Sequence, residues 1–160
     1  MRRPVQLGLV GWILCMLMAG CGLLPGSTTE TCVDWIRFET AQEQFRQATL
    51  VVIGTPQGTE SETRIYGYTA HIHVVEVEDV LKGDPGPGPL RIASMPVTCT
   101  GGVSYPEGDP LDGRRRMLIY ATEQDGYWFT VTPAQGAVPF DVGTPLPFET
   151  SPTETSPAQK

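Results

Sequence analysis

Hydrophobic positions change their pattern along the chain, from one long apolar run to short alternating stretches. No charged residue occurs from Pro4 to Thr29. After residue 48, apolar and polar residues alternate in pieces that Gly and Pro separate, which is typical of strands. The pattern predicts five strands, at residues 50–53, 64–80, 90–98, 114–122 and 127–132, with a turn at 56–58. The alternation slips at Val74 and Val75, which predicts a β-bulge there.

One short helix is predicted before the first strand, at residues 41–48. Thr40 followed by Glu43 fits a capping box, and Phe45 lies on the apolar face of the segment. Residues 123–126 predict a hairpin turn between the last two strands. One short helix and five strands predict an all-β fold, a small closed five-stranded antiparallel barrel of the OB type, because closure removes exposed strand edges.

The apolar run at the start has the order of an export signal. Arg2 and Arg3 precede it, and the small residues Ala19 and Gly20 stand directly before Cys21. This order predicts a lipoprotein signal peptide at residues 1–20, a lipid (palmitate) on Cys21 and a location on the outer face of the cell membrane. The alternative is an uncleaved anchor, because the run is long enough for a transmembrane helix of about 20 residues.

The remaining chain divides into three parts. Residues 21–31 are predicted to form a lipidated tether, 32–140 the barrel, and 141–160 a disordered Pro/Thr/Ser-rich tail. After cleavage and lipidation two cysteines remain, Cys32 and Cys99. In an oxidising compartment this pair predicts a disulfide bond.

The charge balance excludes one class of partner. Without residues 1–20 the chain has nine Lys and Arg against 18 Asp and Glu, a net charge of −9. Nucleic-acid binding requires a basic surface, so no nucleic acid is expected. No phosphate-binding glycine loop or CxxC motif is present in the sequence, and no cofactor is expected. The expected partners are the membrane, through the lipid on Cys21, and an envelope protein.

Several short segments resemble a known barrel family. Residues 48–54, 75–84 and 116–120 resemble the netrin-like barrel, which is shared with tissue inhibitors of metalloproteinases. The opening Cys-Val-Asp-Trp at residues 32–35 and the closing residues 128–133 resemble small actinobacterial lipoproteins. The resemblance implies an OB-like barrel. The animal inhibitors use a free N-terminal cysteine amine, which a lipid on Cys21 would block, so protease inhibition by that route is not expected.

The two histidines are the first candidate for chemistry. His71 and His73 are two positions apart on a predicted strand and therefore lie on one face. Such a pair can bind one metal ion, but a zinc site needs a third or fourth ligand. Glu76, Glu78 or Asp79 would have to provide it. The alternative is two half-exposed histidines on the barrel wall.

Acidic and basic residues follow one another before the fourth predicted strand. Glu107, Asp109 and Asp112 could bind Ca²⁺, although the spacing of a calcium loop is absent, and the alternative is a solvated acidic loop. Residues 114–116 are all arginine. They either pair with these acids or form an anion site.

Aromatic residues supply a candidate binding patch. Tyr127 and Trp128 are adjacent on one predicted strand, so only one of them can face inward. The predicted patch consists of Trp128, Tyr127, Arg114, Arg115 and Arg116. Taken together, the sequence predicts a membrane-anchored, non-catalytic binding module. The alternative is a metal-binding protein or metal-dependent enzyme that uses His71 and His73.

Overall fold

The computed structural model describes residues 29–150. The predicted signal peptide, Cys21 and most of the tether lie outside these residues. The elements are α1 (Ala41–Gln47), β1 (Leu50–Ile65), β2 (Tyr68–Lys82), β3 (Leu90–Ala93), β4 (Met117–Gln124), β5 (Tyr127–Thr130) and β6 (Ala137–Pro139). Within the described residues, no helix is both long enough and apolar enough to cross a membrane.

Five strands close into a barrel, which confirms the predicted fold class. β1 pairs with β2 and β4, β2 with β3, and β5 with both β3 and β4. All pairs in this ring are antiparallel except β3 with β5. The parallel pair arises because the chain between β3 and β4 crosses one end of the barrel. The β4–β5 hairpin then returns β5 beside β3 in the same direction.

The first hairpin is longer than predicted. β1 continues through Pro56 to Ile65, and the chain reverses at Tyr66 and Gly67, both of which have positive φ. The predicted turn at 56–58 was wrong, because bulges absorb these turn-forming residues within the strand. A bulge does lie opposite Val74 and Val75, but the extra residue is Gln57 on β1.

The other element ends differ in smaller ways. β3 ends at Ala93 rather than near residue 98, and β4 begins at Met117 rather than at residue 114. β6 was not predicted. The turn of the second hairpin is where the sequence predicts it, with Asp125 and Gly126 both at positive φ. Thr40 caps α1 as predicted, because its side chain accepts a hydrogen bond from the backbone N–H of Glu43.

Strand alternation builds a barrel interior and two outer clusters. Leu50 and Val52 face a buried interior that also contains Ile92 and Ile119. The intervening residues of β1 and β4 pack outward beneath α1. A third cluster, on the outer face of β2, β3 and β5, packs against Trp35 from the N-terminal segment. The Leu-Val-Val-Ile run of β1 is therefore continuous in sequence because both of its faces are buried.

Two further contacts attach the ends of the described chain to the barrel. The sulfur atoms of Cys32 and Cys99 lie at disulfide distance, with their Cα atoms 4.9 Å apart, as the cysteine count predicts. Residues 141–150 differ from the predicted disordered tail. Phe148 is buried and its ring stacks on that of Phe45, with centroids 4.3 Å apart. Apolar burial of one aromatic ring thus holds a segment whose composition indicated disorder.

Candidate metal centre

The inward-facing positions of β2 change from apolar to polar toward one end of the barrel. Val75 lies in the interior cluster, and His73 and His71 follow it at intervals of two, on the same face. His73 is fully buried, whereas the side chain of His71 is 31% exposed. The same change occurs from Ile92 on β3 to Ser94 directly after it, and Ser94 is also fully buried. The barrel interior therefore ends in a polar layer.

The loop between β3 and β4 closes this end and brings in a carboxylate. Leu111 inserts into the apolar interior, and this places Asp109 beside the histidines. Asp109 Oδ2 lies 3.1 Å from His71 Nδ1 and 3.1 Å from His73 Nε2. One carboxylate oxygen, buried from solvent, is thus shared by two imidazoles.

The second oxygen of Asp109 is held by different partners. Oδ1 accepts hydrogen bonds from the Ser94 hydroxyl and from the backbone N–H of Leu111, the latter at 2.9 Å. Burial by itself raises the pKa of this carboxyl, but the hydrogen bonds from His73, Ser94 and Leu111 outweigh it and lower the pKa below its ordinary value. Asp109 is therefore a carboxylate whose Oδ2 is directed toward the histidines.

Tyr105 fastens the loop to the strands. Its hydroxyl donates to the carbonyl oxygen of Ser94 at 2.5 Å and accepts from the backbone N–H of His71 at 3.4 Å. Its ring lies against the ring of His71, with centroids 5.1 Å apart. Burial, and then the nearby charge of Asp109, raise the pKa of the phenol. Tyr105 therefore stays protonated and can donate this hydrogen bond.

The outer side of the cluster opens to solvent. Asp112 is exposed and continues the turn that begins at Asp109, because its N–H donates to the Asp109 carbonyl at 3.0 Å. Glu62 on β1 also reaches the cluster, with Oε1 3.7 Å from His71 Nε2. A cavity of about 350 Å³ lies on this side, lined by His71, Ser104, Tyr105, Gly108, Asp109 and Asp112.

The four nearest donor groups suit a metal ion. One ligand atom each from His71, His73, Asp109 and Asp112 lies within 4.8 Å of the others. Imidazole and carboxylate are the donors that Zn²⁺ and related divalent transition metals use. Mg²⁺ and Ca²⁺ prefer sites built from oxygen alone. The donor types and their spacing are compatible with a single transition-metal ion.

The same cluster does not form a serine nucleophile. Ser94 Oγ donates to Asp109 rather than facing a histidine nitrogen, and it is fully buried. Nucleophilic catalysis needs the hydroxyl beside a general base and open to substrate.

The acids that the sequence offered as further metal ligands lie elsewhere. Glu76 accepts a hydrogen bond from Gln57, and Glu78 accepts one from Arg116. Asp79 pairs with Ile53 far along the hairpin. None of the three belongs to the histidine cluster. The expectation of two half-exposed histidines holds for His71 alone, because His73 lies in the barrel interior.

The predicted acidic loop divides into buried and exposed parts. Asp109 is buried, so the prediction of a solvated loop was wrong at this position: the carboxylate has four polar partners there. Glu107 is exposed and lines a neighbouring cavity of about 830 Å³. In the sequence, Asp109 and His73 belong to separate segments, and no local pattern pairs them. The Asp-Pro-Leu-Asp turn, with one apolar residue between the acids, was the signal that the loop turns inward.

The residues of the predicted aromatic and arginine patch do not come together. Tyr127 is 45% exposed, whereas Trp128 packs against the barrel interior. Tyr127 pairs with Gln124 at one end of β4, and Arg114, Arg115 and Arg116 precede its other end. Arg115 lies 3.8 Å from Asp141, and Arg116 pairs with Glu78. At about 3.3 Å per residue, the length of β4 separates the two groups by roughly 25 Å.

No protein-family model matches the sequence, and no curated protein is significantly similar to it. Any inference about function therefore depends on the donor geometry of the cluster.

Proposed function

We propose that this protein is an exported, lipid-anchored, non-catalytic binding module, and that its ligand is a divalent transition-metal ion such as Zn²⁺. One observation carries the choice of ligand: a single buried oxygen, Asp109 Oδ2, lies 3.1 Å from ring nitrogens of both His71 and His73. A metal ion beside this oxygen would be bound by both imidazoles and the carboxylate.

The surroundings of Asp109 support this proposal. Ser94 and the N–H of Leu111 occupy Oδ1, which leaves Oδ2 for the ion and orients it before binding. Partners of this kind are a regular part of protein metal sites. Asp112 supplies a fourth ligand from the exposed side, where an ion can enter.

The two aspartates also match the charge of the ion. A divalent cation bound by Asp109, Asp112 and two neutral imidazoles forms a neutral unit, which lowers the cost of placing the charge beside an apolar interior. Binding of an anion at the same place would leave both carboxylates uncompensated.

A thermal-unfolding titration tests the metal proposal. Zn²⁺ at about 100 times its dissociation constant stabilises a folded protein by about 2.7 kcal/mol, so the midpoint of the full chain should rise by several degrees. His71→Ala should lose this rise, and Glu107→Gln, which removes an exposed charge from the same loop, should keep it. Circular dichroism confirms that each variant folds. No rise for wild type at saturating Zn²⁺ contradicts the proposal.

The proposed location has a separate test. The signal sequence, the netrin-like resemblance and the acidic net charge support an anchored domain outside the membrane. Mass spectrometry of the membrane fraction should show a mature chain that begins at Cys21 and carries lipid on it. An unmodified Cys21 in membrane-bound wild type would instead support an uncleaved anchor.

A further inference from the structure

His71 lies between two carboxylates that face its two ring nitrogens. Nδ1 is 3.1 Å from Asp109 Oδ2 in the centre of the cluster, and Nε2 is 3.7 Å from Glu62 Oε1 at its rim. Glu62 is directly opposite His71 in the register of β1 and β2. Directly opposed residues of an antiparallel pair place their side chains on the same face. Strand pairing therefore fixes Glu62 beside the outer nitrogen of His71.

We propose that Glu62 is a positioning residue for the metal centre. When the ion is bound, the Glu62 carboxylate accepts the N–H of His71 Nε2, and this favours the tautomer in which Nδ1 has given up its proton and binds the ion. Metal-bound histidines regularly donate their other N–H to a carboxylate, and this orients the ring and strengthens it as a ligand. The inference rests on the proposed metal function.

The contrast with His73 explains why His71 needs this partner. The His73 ring is fully buried, so packing alone fixes its orientation, and its Nδ1 has no hydrogen-bond partner among the described residues. His71 is partly exposed, and the rings of Tyr105 and His73 pack against its ring. Without Glu62, either nitrogen of His71 can be turned toward the ion.

The distance between His71 and Glu62 indicates that Glu62 has a modest effect on metal affinity. A separation of 3.7 Å exceeds a hydrogen bond, and the Glu62 side chain is 63% exposed. The distance between Glu62 Oε1 and His71 Nε2 must therefore shorten by about half an ångström when the ion binds. Loss of such outer partners costs about 10- to 100-fold in metal affinity. For this exposed carboxylate we expect the lower end, about 10-fold.

Long-range ¹H–¹⁵N NMR of the histidine rings, recorded on the full chain with Zn²⁺, tests the assignment directly. Wild type should show His71 bound through Nδ1 and protonated at Nε2. Glu62→Ala should weaken zinc binding about 10-fold and lose the single tautomer. Glu62→Gln keeps a carbonyl oxygen as acceptor and should recover most of the affinity. Glu123→Gln, an exposed charge change elsewhere, should alter neither measurement.

The outcomes separate this inference from the proposed function. Zinc bound through His71 Nε2 in wild type overturns the inference and leaves the metal site intact. An unchanged zinc affinity in Glu62→Ala also overturns the inference. An equal loss of affinity in Glu62→Gln and Glu62→Ala overturns it too, because it would indicate charge attraction alone. If wild type binds no Zn²⁺, the proposed function fails and the inference fails with it.

Discussion

The two ends of the barrel interior are built by the same strands but by different chemistry. At one end, Val75 and Ile92 are buried against apolar neighbours. At the other end, the next inward positions are His73 on β2 and Ser94 directly after β3, and both are buried around Asp109. The alternation of inward and outward side chains along the strands is the same at both ends. What differs is whether the buried side chains need partners.

This difference separates the roles of the two ends. Burial of apolar side chains stabilises a fold by about 25 cal/mol per Å² without directional demands. Buried polar groups must first recover the hydrogen bonds they lose from water, and their net contribution is small. A fold that only needed stability would continue the apolar interior. The polar end therefore adds little net stability, and its side chains depend on Asp109 for their partners.

The largest expected effect is at the apolar end. Ile119→Ala removes a fully buried side chain of the interior cluster and should lower the free energy of unfolding by about 4 kcal/mol through lost burial and a residual cavity. Urea denaturation measures it. Val142→Ala, at a largely exposed position, is the control and should change stability by less than about 0.5 kcal/mol. Equal losses in both variants would contradict the assigned core.

At the polar end, Asp109→Ala in metal-free buffer should cost about 3 kcal/mol, because it leaves two imidazoles and two hydrogen-bond donors without their shared acceptor. Asp112→Ala removes an exposed carboxylate three residues later and is the matched control, with an expected change within about 0.5 kcal/mol. Urea denaturation measures the free energy of unfolding of both variants. A negligible loss in Asp109→Ala would mean that the loop does not close this end in solution.

Ser94→Ala isolates one hydrogen bond of the polar end. The variant removes the hydroxyl donor to Asp109 Oδ1 and should lower the free energy of unfolding by about 1.5 kcal/mol, the contribution of a hydrogen bond to a charged group. Ala93→Ser, at the adjacent buried position on the opposite face, shows the effect of a hydroxyl without this partner. If Ser94→Ala is neutral, Asp109 is held by Leu111 and the histidines alone.

The smallest expected effect is a difference in pH dependence. The folded state lowers the pKa of Asp109, so its ionised form stabilises the fold above the carboxyl's unfolded pKa, about 4. This contribution is lost as the pH falls through the folded-state pKa. In chelator-treated samples, the stability of wild type should therefore fall more steeply below pH 5 than that of Asp109→Asn. If stability falls equally with pH in wild type and in Asp109→Asn, ionisation of Asp109 does not contribute to the stability of the fold.

Local features were predictable from sequence, and long-range ones were not. Thr40 and Asp125–Gly126 act through neighbouring backbone, so the capped helix and the second hairpin followed from a few residues. The shared face of His71 and His73 followed from strand periodicity. Asp109 is 36 residues from His73, and its position depends on Leu111 entering the interior and on Tyr105 reaching β3. No local pattern contains those contacts.

The tail shows the same limit. Residues 141–150 have the composition of a disordered segment, and a single phenylalanine has no periodicity. Phe148 is nevertheless buried because Phe45 and Tyr120 leave an apolar site beside α1. Only the assembled outer face of β1 and β4 creates that site.

X-ray absorption at the zinc edge of the zinc-loaded full chain tests the central claim most directly. The proposed site predicts one bound ion with two imidazole nitrogens and one or two carboxylate oxygens, all at about 2.0–2.2 Å, and no sulfur. Asp109→Asn should lower the zinc content, whereas Glu107→Gln should match wild type. A spectrum with oxygen ligands alone, or a chain that retains no zinc after desalting, would contradict the account.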